Sequence, residues 1–186
     1  MIARSQSASQ TAGPYVHIGC MPNFAGLESM YGGHELGAEI FSSDAVGAWT
    51  TVTGQIFDGD DMPVTDAMLE FWQADASGRY APHGGSEGWG RRPVDAEEAR
   101  YKLRTILPAG LGCEAPHIKV WIVARGINLG LHTRIYFDGQ DNWQDPVLAA
   151  IVDPVRKSSL IATRDGDHYN FDIHLQGDYE TVFLNV

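Results

Sequence analysis

The chain has 186 residues, with 13 Lys and Arg against 24 Asp and Glu and a formal net charge of −11. A chain of this length can bury roughly 70% of its unfolded surface without disulfide staples, and so negative a chain is a poor partner for nucleic-acid backbones or anionic membranes. Cys20 and Cys113 lie far apart and outside any CxxC spacing, and no apolar run reaches signal-peptide or membrane-spanning length; the expectation is one domain over 1–186 with reduced thiols in the cytoplasm.

Residues 1–13 are mostly Ser, Gln, Ala and Gly and read as an extended arm. Gly13 to Gly19 turns apolar on alternate positions, which predicts a short edge strand entered through the Gly13-Pro14 turn, with His17 at an interface. From Cys20 to Val46 no period holds, a long excursion of the kind that serves function or an interface. Trp49 to Phe57 alternates and stops at Asp58-Gly59-Asp60-Asp61, Ala67 to Gln73 follows the Pro63-Val64 turn, and the two are expected to pair as a hairpin. Residues 75–98 form a second irregular stretch with Tyr80, His83, Trp89 and an exposed pair Arg91-Arg92. Strands are expected at 101–107, 117–124 and 131–137, the first followed by the turn Pro108-Ala109-Gly110. Asp145-Pro146 opens a short helix to about Val152, with Asp145 as N-cap, and the same signal at Asp153-Pro154 starts another turn toward Leu160. Strands at 168–175 and 180–184 close the chain. Many short strands and little helix predict an all-β sandwich of mostly antiparallel strands, with long loops, an N-terminal arm and one or two short helices; Trp72, Trp121 and Tyr101 are expected in its core.

The chemistry concentrates in Glu114 to Gly126. Alternate side chains of a strand share a face, so His117 and Lys119 point the same way. A His-x-His pair at this spacing would offer two imidazoles to one metal ion, but a protonated ammonium has no lone pair to give. The strand therefore reads as a metal site with a ligand missing. Read from spacing alone, His117 is equally a satisfied core histidine, Tyr80 an aromatic rim residue and Arg125 a solvated strand end; His132 and Arg134 read as facing solvent or a partner.

Several segments, in order, carry a resemblance: Gln10 to Gly19, Glu70 to Asp75 with Gly78-Arg79-Tyr80, Arg104-Thr105-Ile106, Ala115 to Ile118, Ala124 to Asn128 leading into Leu131 to Phe137, then Gly177 and Glu180 to Phe183. Together they resemble the intradiol ring-cleavage dioxygenases over nearly the whole chain. In that family a β chain binds a ferric ion through two tyrosines and two histidines, while an α chain is a related sandwich whose site has decayed. The first tyrosine position matches Tyr80 and the first histidine His117. The second tyrosine, from a Pro-Gly-Pro-Tyr turn, falls on Leu111, the second histidine on Lys119, and an arginine that precedes the histidines falls on Glu114.

The resemblance implies an α-type chain without a metal of its own, Fe(III) in a β-chain partner, a higher-order hetero-oligomer, and an active site at the boundary between the two chains. It implies that Gly13, Pro14, Tyr15 and Arg125 contact the substrate, 3,4-dihydroxybenzoate, which O2 opens between its hydroxyl-bearing carbons to 3-carboxy-cis,cis-muconate. Arg125 has a chemical case of its own, since a guanidinium offers a carboxylate planar paired donors and an acidic chain needs such a local countercharge. Glu114 is expected to pair with Lys119 and fill the former metal space. Two other readings stay open: a self-sufficient ferric enzyme made of this chain alone, and a non-enzymatic sandwich that binds a small ligand or a protein.

Overall fold

Strand β6 (His117–Val123) organises one layer of the computed structural model, which describes residues 10–30, 32–81 and 87–185. Ile118, Val120 and Ile122 are apolar and wholly buried on one face of β6, while the intervening side chains stand on the other. β6 lies antiparallel between β3 (Met68–Gln73) and β7 (Leu131–Phe137), and β4 (Trp89–Pro93) extends the layer beyond β3. The second layer holds β1 (Trp49–Gly54), antiparallel to β5 (Tyr101–Ile106) and parallel to β9 (His168–Asn170), which pairs with β8 (Ile161–Asp165). A short parallel pairing of Tyr136 with Ile161 joins the layers, giving the order β4-β3-β6-β7-β8-β9-β1-β5. β2 (Ile56–Phe57) and β10 (Ile173–His174) form a separate parallel pair.

The two layers share one core. Leu69, Phe71, Val120 and Ile135 of the first pack with Val52 and Leu103 of the second, and the rings of Phe71 and Tyr101 meet 5.9 Å apart. Full burial of each such side chain is worth roughly 1.5–3 kcal/mol, so this face holds the sandwich together. Tyr101 is buried without an orphaned hydroxyl because its OH donates to the Phe171 carbonyl at 2.6 Å. Gly54 makes that approach possible: a side chain there would put its first carbon 1.8 Å from the Phe171 oxygen.

The helices α2 (Pro146–Ala150) and α3 (Pro154–Ser158) start where the two Asp-Pro signals place them, with Asp145 and Asp153 accepting from the first helical N–H groups. Elsewhere the structure corrects the sequence. The expected edge strand at Gly13 to Gly19 is a helix, α1 (Pro14–Cys20). Pro14 at its first position needs no partner for its missing N–H, the Met21 N–H closes the last turn on the His17 carbonyl, and seven alternating residues fit either period. Residues 1–9 of the proposed arm, and His83, lie outside the described residues.

The segments 49–57 and 67–73 do not form a hairpin. β1 pairs with β5 and β9 and β3 with β4 and β6, so that Val52 and Phe71 join one core from different layers rather than lying side by side. Residues 89–93, expected to be irregular, are β4, and its arginines are engaged: Arg91 Nε lies 2.6 Å from Glu70 Oε1 and Arg92 Nη1 donates to Gly37 O at 2.9 Å. The expected strand at 168–175 splits into β9 and β10. That at 180–184 is an extended tail tied at points, Thr181 N–H to His174 O and Leu184 N–H to His132 O, without a continuous ladder. Trp72 and Trp121 are half-buried on the outer face of the first layer instead of in the core.

Candidate functional site

The outer face of the first layer carries His117 and Lys119, with Tyr80 stacked beside Trp72 and under the Lys119 ammonium. Strand register sets His117 opposite Tyr136, and Lys119 between Trp72 on one side and Arg134 on the other. His117 and Lys119 do share a face, as their spacing requires.

His117 is 4% exposed. Its Nδ1 lies 2.8 Å from the Ala115 carbonyl, which can only accept, so Nδ1 carries the proton and the neutral ring presents a bare Nε2. Burial, outweighing the hydrogen bond to Ala115, pushes the imidazole pKa down, with the charges of Arg134 and Lys119 acting in the same direction, so the ring stays neutral. Nε2 is buried and finds no partner among the described residues. This is the tautomer and orientation of a histidine ligand, with its other nitrogen fixed by a carbonyl.

Behind it runs a network that the sequence did not announce. Asp145 is buried and accepts from the Tyr136 hydroxyl at 2.9 Å, the Ala115 N–H at 3.0 Å, and the N–H groups of Val147 and Leu148. One carboxylate thus caps α2 and pins the backbone whose carbonyl orients His117. Burial, reinforced by Asp145 and opposed by Arg134, raises the Tyr136 pKa, which keeps the phenol protonated as donor. Arg134 reaches the Tyr136 oxygen at 3.3 Å and pairs with Glu114 at 3.1 Å. The expected Glu114–Lys119 bridge is therefore absent: the guanidinium, with its planar donors, takes the carboxylate, and the Lys119 ammonium lies over the Tyr80 ring, 5.0 Å from its centroid. Arg134, expected to face solvent or a partner, has its side chain packed into the site at 12% exposure.

Tyr80 is set by a tight turn. Asp75 accepts from the Ser77 hydroxyl and from the N–H groups of Ser77 and Arg79, and Gly78 takes a φ of +78° where a side chain would meet the Gly110 carbonyl at 2.6 Å. That contact brings the Tyr80 turn against the Pro108–Leu111 segment. Tyr80 stacks on Trp72 at 5.8 Å, and burial, with Glu114 in support, raises its pKa away from the phenolate. Leu111, which the resemblance matches to the second tyrosine, is 51% exposed.

Ferric iron favours anionic oxygen donors completed by imidazoles. Here one bare imidazole and one protonated phenol come with a cationic amine, so the donor set does not fit that ion. Among the described residues no three His, Cys, Asp or Glu side chains form a group that could hold a metal.

Four other predicted positions lie on two segments that Thr11 joins. Thr11 Oγ accepts from the Gly126 N–H at 2.7 Å and approaches the Ala124 carbonyl at 3.4 Å, so it brackets Arg125 and ties that turn to the segment carrying Gly13, Pro14 and Tyr15. Gly13 caps α1 in an extended conformation, Pro14 opens the helix, and Tyr15 points outward at 82% exposure. Arg125 is equally exposed, with Nε 3.3 Å from Asp66. It borders a depression of about 630 Å³ lined by Thr65, Asp66, Asn128 and Leu175 among others.

Arg134, Tyr136 and Asp145 were the missed residues. The first two alternate on β7 as His117 and Lys119 do on β6, and the short 124–130 connection makes the strands neighbours, so counting register across the turn would have set them together.

The sequence profile described as Dioxygenase matches residues 32–177. The chain is 41% identical over 196 residues to the protocatechuate 3,4-dioxygenase alpha chain of Pseudomonas putida, covering 97% of this chain and 96% of that protein. It is also 29% identical over 160 residues to the protocatechuate 3,4-dioxygenase beta chain of Burkholderia cepacia, covering 73% of this chain and 65% of that one. Among solved structures, the dioxygenase domain of a dioxygenase and carbohydrate-binding protein fusion from Streptomyces sp. SirexAA-E superposes with a TM-score of 0.59 at 29% identity, over 77% of this chain and 87% of that one.

Proposed function

The chain belongs to the Dioxygenase family of intradiol ring-cleaving enzymes, and we propose that it is the iron-free alpha subunit of a protocatechuate 3,4-dioxygenase, active only with a beta chain that carries Fe(III). The beta chain would hold the ferric ion and with it supply the Lewis-acid chemistry for ring opening of 3,4-dihydroxybenzoate by O2. This chain's task is to shape and charge the pocket from its own side. The same reading puts it in a higher-order hetero-oligomer in the cytoplasm, a setting that suits the free thiols of Cys20 and Cys113.

The observation that carries this reading is Arg125 held at an open rim by Thr11. Asp66 lies against Nε, so the Nη1 and Nη2 edge of the guanidinium stays available for the paired oxygens of a substrate carboxylate. Gly13 and Pro14 start a helix whose entry lies beside that rim, where backbone can approach a flat ring, and Tyr15 offers an exposed aromatic face. These four residues are assigned to substrate binding. The metal-site positions Tyr80, Leu111, His117 and Lys119 are assigned to a remnant that holds no catalytic ion.

Co-expression with a beta chain, followed by iron counting and oxygen uptake on 3,4-dihydroxybenzoate, tests the whole reading. One iron per pair of chains and uptake that needs both are expected; stoichiometric iron and tyrosinate-to-iron colour in this chain alone would refute it. Arg125→Ala in the assembled enzyme should raise KM by about tenfold or more with iron content unchanged, as loss of a charge-assisted hydrogen bond to substrate predicts. Loss of iron at unchanged KM would move Arg125 out of the substrate site.

A further inference from the structure

The loop that follows β7 and the helix α3 bound a cleft of about 350 Å³, floored by Leu148, Pro154 and Ile161. Trp143 stands at its lip with 91% of the residue exposed, and Val152 and Val155, just before and within α3, are 93% and 64% exposed. A single apolar side chain in water needs no account, but here three fall between residues 143 and 155, around one concavity. Trp143 forgoes nearly all of the roughly 150–250 Å² that a covered indole buries, and a cleft of this size has room for one such ring.

The two lips of the cleft differ in charge. Asp138 and Asp141 are exposed on the loop, while Arg156 and Lys157 occupy the last turn of α3. Arg156 pairs with Glu180 at 3.4 Å. Lys157 has no carboxylate within salt-bridge reach among the described residues, although it lines the same cleft as Asp138.

An acidic lip and a basic lip that do not close on each other suit an isologous contact. A two-fold axis lays the acidic loop of one copy against the basic helix of the other, so that each favourable pairing is made twice. A partner surface of a single sign would be repelled by one of the two lips.

The cleft is also well placed. β7 carries the chain from Leu131, beside the Arg125 turn, to Phe137, beside this loop, so roughly 20 Å of strand separates the cleft from the rim assigned to substrate. Both surfaces can be occupied at once, and the inference does not rest on the proposed activity.

We propose that this cleft is a self-association surface on which a second copy of the chain docks across a two-fold axis, each Trp143 entering the cleft of the other copy and each Asp141 facing the other's Lys157. Within the proposed hetero-oligomer the contact would join two alpha/beta pairs through their alpha chains.

Sedimentation equilibrium of the full chain from about 1 to about 200 μM should show a passage from monomer to dimer, the range in which a modest interface associates. Trp143→Ala should weaken association about thirtyfold or more at unchanged Tm, as loss of a central aromatic anchor predicts. Lys157→Glu and Asp141→Lys should each leave the chain monomeric, because like charges then meet at both lips. In an equimolar mixture of these two variants every charge again meets its opposite, and the dimer should return. A monomer throughout, a dimer that survives Trp143→Ala, charge variants that associate as the wild type does, or a mixture that stays monomeric would each overturn the proposal. A monomeric chain that supports oxygen uptake with a beta chain would sink this inference and keep the proposed function; a dimer that supports none would do the reverse.

Discussion

The face around His117 and the rim around Arg125 treat charge in opposite ways. On the face, most polar groups are satisfied from within, His117 Nε2 excepted: Arg134 has Glu114, Tyr136 has Asp145, and Asp145 has Ala115 and the start of α2. At the rim, Arg125 and Tyr15 are each 82% exposed, and among the described residues the ion-pair partner of Arg125 is the half-exposed Asp66. A network closed on itself contributes stability and admits little; an exposed guanidinium contributes little stability and is available to a ligand or a partner. By that division the face around His117 serves as scaffold, while the rim is where a ligand or partner can reach a charge.

The contrast breaks first at Asp145. Asp145→Ala removes one buried carboxylate that four donors share, leaving the Tyr136 hydroxyl and the Ala115 N–H without a partner. Counting a lost N-cap and two orphaned donors, the loss is about 3 kcal/mol or more, a fall in Tm of roughly 6–12 °C for a chain this size. Thermal unfolding followed by circular dichroism measures it. A fall under about 2 °C, within the range of an ordinary surface change, would mean that the network is decorative.

A smaller effect separates charge from packing within the same face. Arg134→Met leaves Glu114 partly buried and unpaired and should cost about 1–3 kcal/mol. Adding Glu114→Gln should recover most of that loss, since removing both partners of such a pair is often near neutral. A double-mutant cycle with no coupling would show that the two side chains only happen to be close.

How much of this could be read without coordinates follows the same division. Period-2 alternation and Asp-Pro caps sufficed for β5, β6, β7, α2 and α3, because burial on one face and N-cap chemistry are local. Strand partners were not local: β1 and β3 look like a hairpin in sequence and belong to opposite layers, since each pairs with strands far along the chain. β4 was hidden because Trp89 to Pro93 has no apolar alternation, its outer face being an arginine salt bridge and an indole. At the site, the shared face of His117 and Lys119 could be read from their spacing alone. Which cation would claim Glu114 could not, because Arg134 is twenty residues away in sequence and arrives only through the β6–β7 register.

pH probes the join between the two kinds of surface. Weak burial raises the Asp75 pKa, but hydrogen bonds from Ser77 and Arg79, with the Arg79 charge, lower it more, from 3.8 to about 2. A carboxylate whose folded pKa is depressed stabilises the fold above its ordinary value and loses that contribution as pH falls through the folded one. The Tyr80 turn should therefore lose support between about pH 4 and pH 2. Wild-type Tm should fall more steeply across that window than that of Asp75→Asn; parallel curves would remove Asp75 from the account.

The smallest effect is expected where the chain is most exposed. Arg125→Ala and Asp66→Ala should each change stability by less than about 0.5 kcal/mol, because a solvent-screened ion pair with flexible side chains gains little net energy. Thermal unfolding of the chain alone checks this, and its value lies in what it permits: a KM defect of Arg125→Ala in the assembled enzyme could then not be blamed on a damaged fold. A drop in Tm of several degrees would reverse the inference. Arg125 would be part of the scaffold like Arg134, the Thr11 bracket would be serving stability, and the rim would lose its claim to be the open half of the comparison.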